Sequence, residues 1–263
     1  MRKSIKLNGG MKRRALCYLC GLSGADTRDH VIPYCFFTKP RPADLLTLPA
    51  HEKCNRKHSI SDEYSRNILA WLGMDRSKIA QALWDEEIGR AFKRSALLRD
   101  HVRSSLVEKV DKFSVGGIYL GSAPGMRLDV KRFYPTIEKI VRGLHRHYAG
   151  SVMPSDAKFG RWLLQEPMVG DRRIMFDAAS LAVGYPDVFA SKFFPFTKEG
   201  SVVGAYYWLH FYNKTPIECY VQFSAVAPPV GVPVNASFSG SISLEIGQSP
   251  PRASRSAKSN TYS

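Results

Sequence analysis

Two pairs of metal-binding side chains near the N-terminus constrain this chain more than any other feature of its sequence. Cys17 and Cys20 form the first pair and His51 and Cys54 the second, with two residues inside each pair and 30 residues between the pairs. Thiolates and imidazoles are ligands that zinc prefers, and the short gap lets both members of a pair reach one tetrahedral ion. The spacing therefore predicts a zinc site with four protein ligands.

A zinc ion with four protein ligands has no open coordination position, so we expect it to be structural. Its binding energy would fold a small unit that cannot bury enough apolar surface by itself. A disulfide framework is disfavoured, because the cysteine count is odd and no secretory-type apolar segment is expected at the N-terminus. A thioredoxin-like redox pair is disfavoured by the turn-forming residues around Cys17 and Cys20.

The net charge indicates a polyanionic partner. The chain has 38 Lys and Arg against 23 Asp and Glu, a formal charge of +15, and residues 1–60 carry +8 of it. Such basic proteins most often bind nucleic acid, although ribosomal-type and membrane-surface proteins share this signature. No apolar run approaches the roughly 20 residues that span a bilayer. We therefore expect a cytoplasmic protein without a membrane partner.

Residues that a closed zinc site does not need lie between and after the two pairs. Asp29 and His30 are adjacent in a stretch that alternates like a strand, and Asn55 and His58 are three residues apart in a segment of helical character. Carboxylate, amide and imidazole groups are ligands for a hard divalent ion such as Mg²⁺ or Mn²⁺. His30, which is not needed as a ligand, is then available as a general base.

This pattern resembles the HNH endonuclease family, whose ββα-metal motif is a strand ending in Asp-His, a loop, a second strand and a helix with the last metal ligand. The similarity is closest to the zinc-stapled branch, which includes phage Holliday-junction resolvases, and it covers residues 15–66. It implies that Asp29 and Asn55 bind the catalytic metal and that His30 is the general base. His58 stands where many members have their final His.

Two residues depart from the family pattern. His51 stands where the pattern has Cys, a replacement that zinc accepts. Asp44 stands where many members have the Asn that braces the loop between the strands.

The resemblance implies metal-dependent hydrolysis of phosphodiester bonds, with double-stranded or branched DNA as the partner. Basic side chains beside the site are expected to hold flanking phosphates. These are Arg28, Lys53, Arg56 and Lys57. The alternative is a zinc-stapled nucleic-acid-binding module that does not cleave. The two functions differ at Asp29, His30 and Asn55, which a pure binding module has no reason to carry.

The whole chain is expected to be an α+β protein, in which the ββα-metal unit precedes a helical region and a small antiparallel sheet. Its expected parts are a basic arm (1–14), the HNH domain (15–66), an α+β domain of unknown role (67–227) and a disordered tail (228–263). Apolar periodicity predicts helices within 62–113, with a break at Gly73, and over 130–148, with Pro135 in the first turn. Strands are predicted at 115–120, 173–177, 202–212 and 217–223.

Overall fold

Two short strands and two helices follow one another in the N-terminal part of the chain. The computed structural model describes residues 15–113, 118–163, 171–199, 201–223 and 243–245. Strand β1 (Thr27–His30) pairs antiparallel with β2 (Thr47–Ala50), and helices α1 (Glu52–Lys57) and α2 (Ser59–Gly73) follow directly. The pairing places His30 opposite Thr47 and Thr27 opposite Ala50. The antiparallel register thus places the start of β1 beside the end of β2, shortly before α1 begins.

The predicted helical region is correct up to residue 105 and wrong beyond it. Helices α3 (Lys78–Ala82), α4 (Gly89–Arg94) and α5 (Ala96–Ser105) follow α2, and a π-helical segment (Leu83–Ile88) joins α3 to α4. The predicted break at Gly73 is confirmed. A β-carbon there would lie 2.5 Å from Cβ of Tyr212, so only glycine allows this close approach.

Residues 106–113 form a strand instead of the predicted helix. Strand β3 (Leu106–Phe113) pairs antiparallel with β4 (Tyr119–Arg127), and β10 (Ser243–Glu245) pairs with the other edge of β4. The apolar residues of this stretch are spaced as on a helix, but pairing with β4 satisfies its backbone groups in extended form. Half of the predicted strand 115–120, residues 115–117, lies outside the described residues, and its last two residues belong to β4.

The longest helix, α6 (Val130–Tyr148), has the bounds that the sequence predicts. The side chain of Asp129 caps it by accepting hydrogen bonds from the backbone N–H groups of Lys131 and Arg132. Pro135 lies inside the helix and not in its first turn as predicted. It therefore leaves one backbone carbonyl of the preceding turn without its intrahelical donor.

The C-terminal part is a five-stranded antiparallel sheet with strand order β5-β9-β8-β7-β6. Its strands are β5 (Lys158–Leu163), β6 (Ser180–Tyr185), β7 (Phe189–Lys198), β8 (Ser201–Phe211) and β9 (Thr215–Gln222). The predicted strands at 202–212 and 217–223 are confirmed as β8 and β9, and the turn between them has positive φ at Tyr212 and Asn213. The predicted strand at 173–177 is wrong, because that segment lies in helix α7 (Asp171–Ala178).

One apolar core joins the N-terminal unit to the rest of the chain. It contains Val31 after β1, the buried stripe of α6 and inward-facing residues of the five-stranded sheet such as Tyr207. A β-carbon on Gly143 of α6 would lie 2.5 Å from Cγ1 of Val31, so this helix packs closely against the end of β1. The expected domain boundary between residues 66 and 67 falls inside α2.

The described residues contain no helix long and apolar enough to cross a bilayer. The expected basic arm (1–14) lies outside the described residues, as does the expected disordered tail (228–263) except for β10.

His145 is a titratable group of α6 that is buried in the core. Its Nδ1 lies 2.9 Å from the Tyr207 hydroxyl and its Nε2 lies 3.3 Å from Oγ of Ser151, while the Phe223 ring packs edge-on against the imidazole. Burial, with a smaller contribution from the nearby Arg142 guanidinium, lowers the pKa of His145 from 6.5 to about 4. The imidazole is therefore neutral at pH 7.

We predict that His145 makes the fold sensitive to acid. The unfolded chain binds a proton at this residue near pH 6.5 and the folded chain only near pH 4, so the free energy of unfolding must fall as the pH drops through this window. Urea unfolding at a series of pH values measures the effect. His145→Gln should flatten the profile. His147→Gln changes an exposed histidine of the same helix and should leave the pH dependence of unfolding unchanged. Equal pH profiles for the two variants would contradict the assignment of the effect to His145.

Candidate metal centre and its polar cluster

The four predicted zinc ligands lie together. The sulfur atoms of Cys17, Cys20 and Cys54 and a ring nitrogen of His51 are all within 4.8 Å of one another. Nδ1 of His51 is 3.3 Å from Sγ of Cys20 and 3.8 Å from Sγ of Cys54. A tetrahedral zinc ion with ordinary bond lengths separates its sulfur and nitrogen ligands by about 3.5 Å. The cluster therefore has the composition and the dimensions of a zinc site.

Local backbone structure positions these ligands. A tight turn brings Cys17 and Cys20 together, with hydrogen bonds from the Cys17 N–H to the Leu22 carbonyl and from the Gly21 N–H to the Cys17 carbonyl. His51 is the N-cap residue of α1, and Cys54 lies in the first turn of that helix. Nε2 of His51 lies 3.0 Å from the Ser23 carbonyl, to which it donates. This bond turns Nδ1 toward the sulfur atoms, as outer-sphere partners of zinc-bound histidines do.

Asp29 and His30 occupy different environments at the end of β1. The alternation of the strand buries Asp29, whereas His30 is partly exposed. The Tyr18 hydroxyl donates to Oδ2 of Asp29 over 2.7 Å. This hydrogen bond links the carboxylate to the turn between Cys17 and Cys20. The His30 ring packs against the Tyr34 ring with centroids 4.9 Å apart.

Asn55 and His58 carry polar atoms that are buried and have no hydrogen-bond partner. These atoms are Oδ1 of Asn55 and Nδ1 of His58. The His58 ring also hydrogen-bonds the backbone of Pro135 in α6, which leaves Nδ1 as the nitrogen without a partner. Burial lowers the pKa of His58 and the Lys139 ammonium lowers it further, against the opposite effect of Asp62 and Asp29. A buried polar atom without a partner is costly, and a bound ion is one way to satisfy it.

An ion triad that sequence analysis missed lies beside these residues. Nζ of Lys139 in α6 is 3.0 Å from Oδ2 of Asp29 and 3.1 Å from Oδ2 of Asp62 in α2. Oδ1 of Asp62 accepts a hydrogen bond from the Thr136 hydroxyl. Lys139 is only 1% exposed. Burial alone would lower the pKa of Lys139, but the two carboxylates outweigh it and raise the pKa, so the ammonium is charged.

A signal for this triad exists in the sequence. Thr136, Lys139 and Gly143 are spaced as neighbours on one face of α6, and all three are buried. A glycine and a threonine on the same helix face as a lysine indicate that this face of α6 packs closely against another element. The carboxylate partners lie far away in the sequence, so only the fold identifies them.

Tyr34 and Arg41 extend the site at its exposed side and were also missed. The Arg41 guanidinium lies over the Tyr34 ring, 4.0 Å from its centroid, and its Nε donates to the Tyr34 carbonyl. Tyr34 in turn packs against His30. Asp44, expected to brace the loop between β1 and β2, lies exposed in a turn before β2.

Two of the four basic residues predicted to hold phosphates already pair with neighbouring groups, and the other two are exposed lysines. Arg28 donates to the side chain and the carbonyl of Thr47, which braces β1 against β2. Arg56 pairs with Glu52 over 2.7 Å on the surface of α1. Lys53 and Lys57 are exposed on the same helix.

No family model, no curated protein and no solved structure matches the chain.

We predict one zinc ion per chain, bound by the Cys/His cluster and needed for folding. Cys17→Ser or Cys54→Ser should lose the zinc and lower the melting temperature sharply, because the binding energy of a structural zinc is folding energy. Elemental analysis and thermal melting measure the two effects. Cys35→Ser is the matched control, since Cys35 is outside the cluster. Folded wild-type protein without zinc would show that the cluster is not a metal site.

Proposed function

We propose that this chain is an endonuclease of the HNH type that hydrolyses phosphodiester bonds of DNA with the help of a divalent metal. The observation that carries the proposal is the pair of buried, unpartnered ligand atoms on Asn55 and His58. They lie on and directly after the helix that also supplies His51 and Cys54 to the Cys/His cluster. The order β1, β2, α1 and the similarity to the HNH pattern support the same function.

The side chains present fit a hard divalent ion such as Mg²⁺ or Mn²⁺. Oδ1 of Asn55 and Nδ1 of His58 offer free lone pairs, and Asp29 offers a carboxylate. The Asp29 carboxylate acts on His58 electrostatically and raises its pKa, against the larger lowering effect of burial. A bound divalent ion would supply Lewis-acid stabilisation of the negative charge that develops on the phosphate.

His30 takes the role of general base. It is partly exposed, beside the buried Asp29, where a phosphodiester can approach. A ring nitrogen of His30 accepts a proton from water as the water oxygen attacks phosphorus. The bond from phosphorus to the leaving oxygen then breaks. Packing against Tyr34 fixes the plane of the imidazole.

Positive side chains of the N-terminal unit are proposed to hold the DNA backbone. Arg41 lies over Tyr34 next to His30, and Lys53 and Lys57 project from α1 into solvent. Contacts of this type bind phosphates without selecting a base sequence. Double-stranded or branched DNA, which the resemblance implies, is the proposed substrate class.

We predict that His30→Ala loses cleavage but keeps zinc and DNA. Removing a positioned general base typically costs about 10²–10⁴-fold in rate. The measurement is the conversion of supercoiled plasmid with Mg²⁺ or Mn²⁺, beside a DNA-binding assay. His147→Ala, which changes an exposed histidine of α6, should cleave like the wild type.

Asn55→Ala should also lose cleavage, but through weaker divalent binding, so that excess Mn²⁺ restores it in part. The same excess should not restore His30→Ala. Cleavage by His30→Ala at the wild-type rate would refute the assignment of the base. If the wild type binds but never cleaves nucleic acid, the non-cutting zinc-stapled binding module becomes the better account.

The basic residues of α1 should contribute unequally to DNA binding. We predict that Lys57→Gln weakens binding and lowers the slope of log Kd against log salt concentration by about one unit, as expected for one lost phosphate contact. Arg56→Gln should have the smaller effect, because Glu52 already pairs with that guanidinium. Salt titrations of binding compare the two variants; a larger loss for Arg56→Gln would contradict this ranking.

A further inference from the structure

We propose that the Lys139 ammonium and the divalent cation compete for the Asp29 carboxylate, so that the site takes up metal only when Lys139 withdraws. This competition rests on one part of the proposed function, in which Asp29 is a metal ligand, and does not require cleavage of DNA. It adds a means of regulation to that site, since the position of Lys139 in α6 decides whether Asp29 is available.

Both oxygens of Asp29 are occupied in the structure. Nζ of Lys139 lies 3.2 Å from Oδ1 and 3.0 Å from Oδ2, and Oδ2 also accepts the Tyr18 hydroxyl over 2.7 Å. A divalent ion on Asp29 would therefore meet an ammonium group at contact distance from the same carboxylate. Two positive charges this close repel strongly in a buried site.

Asp62 gives Lys139 a second anchor. The Asp62 carboxylate lies 3.1 Å from the ammonium and is fixed on its other oxygen by the Thr136 hydroxyl. The lysine side chain can move away from Asp29 while it remains paired with Asp62, so its withdrawal need not leave a buried charge without a partner. In the proposed competition, the arrangement seen here holds without metal, and metal on Asp29 favours one in which Lys139 pairs with Asp62 alone.

Lys139 has no other evident role in hydrolysis. It is only 1% exposed, so a phosphodiester cannot reach its ammonium in this conformation. A purely structural ion pair is the competing explanation, and it predicts that metal affinity does not depend on Lys139.

The test uses the double variant Lys139→Met with Asp62→Asn. This change removes one positive and one negative charge, so the net charge of the triad stays the same. Asp29 loses the ammonium and keeps the hydrogen bond from the Tyr18 hydroxyl. We expect zinc-loaded double variant to bind Mn²⁺ about tenfold more tightly than the wild type, as measured from the electron paramagnetic resonance signal of free Mn²⁺. Adding Asn55→Ala should abolish the gain.

The matched control is Arg132→Met with Asp129→Asn. It removes an ion pair of 3.4 Å at the start of the same helix, and Asn keeps the N-cap. This control should bind Mn²⁺ like the wild type. Equal affinities of the Lys139→Met/Asp62→Asn variant and the wild type would overturn the competition.

A second measurement needs no variant. In wild-type protein with ¹⁵N-labelled lysine, the buried ammonium of Lys139 should give an NMR signal that changes when calorimetry shows Mg²⁺ to be bound. An unchanged signal with Mg²⁺ bound would overturn the competition.

Failure of the competition and failure of the proposed nuclease give different results. If the wild type cleaves DNA and the double variant binds Mn²⁺ no more tightly, the competition is wrong and the nuclease stands. If the double variant binds Mn²⁺ more tightly and neither protein cleaves, the competition holds and the nuclease assignment falls.

Discussion

The buried ammonium of Lys139 between two carboxylates is the interaction on which the arrangement of this protein depends. It joins β1 through Asp29, α2 through Asp62 and α6 through the lysine itself. Removing one partner of a buried ion pair typically costs about 3–5 kcal/mol, because a charge is left without compensation. The triad therefore fixes these three elements relative to one another. The candidate site lies at their junction, in the same N-terminal unit as the Cys/His cluster.

Sequence analysis identified the parts of the site whose residues are close in the chain or carry a known spacing. Cys17, Cys20, His51 and Cys54 follow from ligand spacing alone, and the structure brings their ligand atoms together. The amphipathic stripe of α6 likewise follows from local periodicity. The catalytic roles of Asp29, His30 and Asn55 come from resemblance, and they remain a proposal.

Other features could not be predicted, because long-range contacts decide them. Residues 106–113 have helical spacing, yet they form a strand whose hydrogen bonds come from β4. Residues 173–177 contain three consecutive apolar residues, a run too short to distinguish a strand from the helix that they form. The carboxylate partners of Lys139, which are Asp29 and Asp62, lie 110 and 77 residues away in the sequence, so only the fold identifies them. The contact between Arg41 and Tyr34 beside His30 depends in the same way on the path of the loop after β1.

The central claim is that two metal sites of different chemistry lie side by side in the N-terminal unit, one for zinc and one for a hard divalent ion. Anomalous diffraction from crystals of zinc-loaded protein soaked in excess Mn²⁺ tests it most directly. The account predicts a zinc peak among Cys17, Cys20, His51 and Cys54. It also predicts a separate manganese peak bounded by Asp29, Asn55 and His58. A manganese peak only elsewhere, with Lys139 still paired to Asp29, would contradict it.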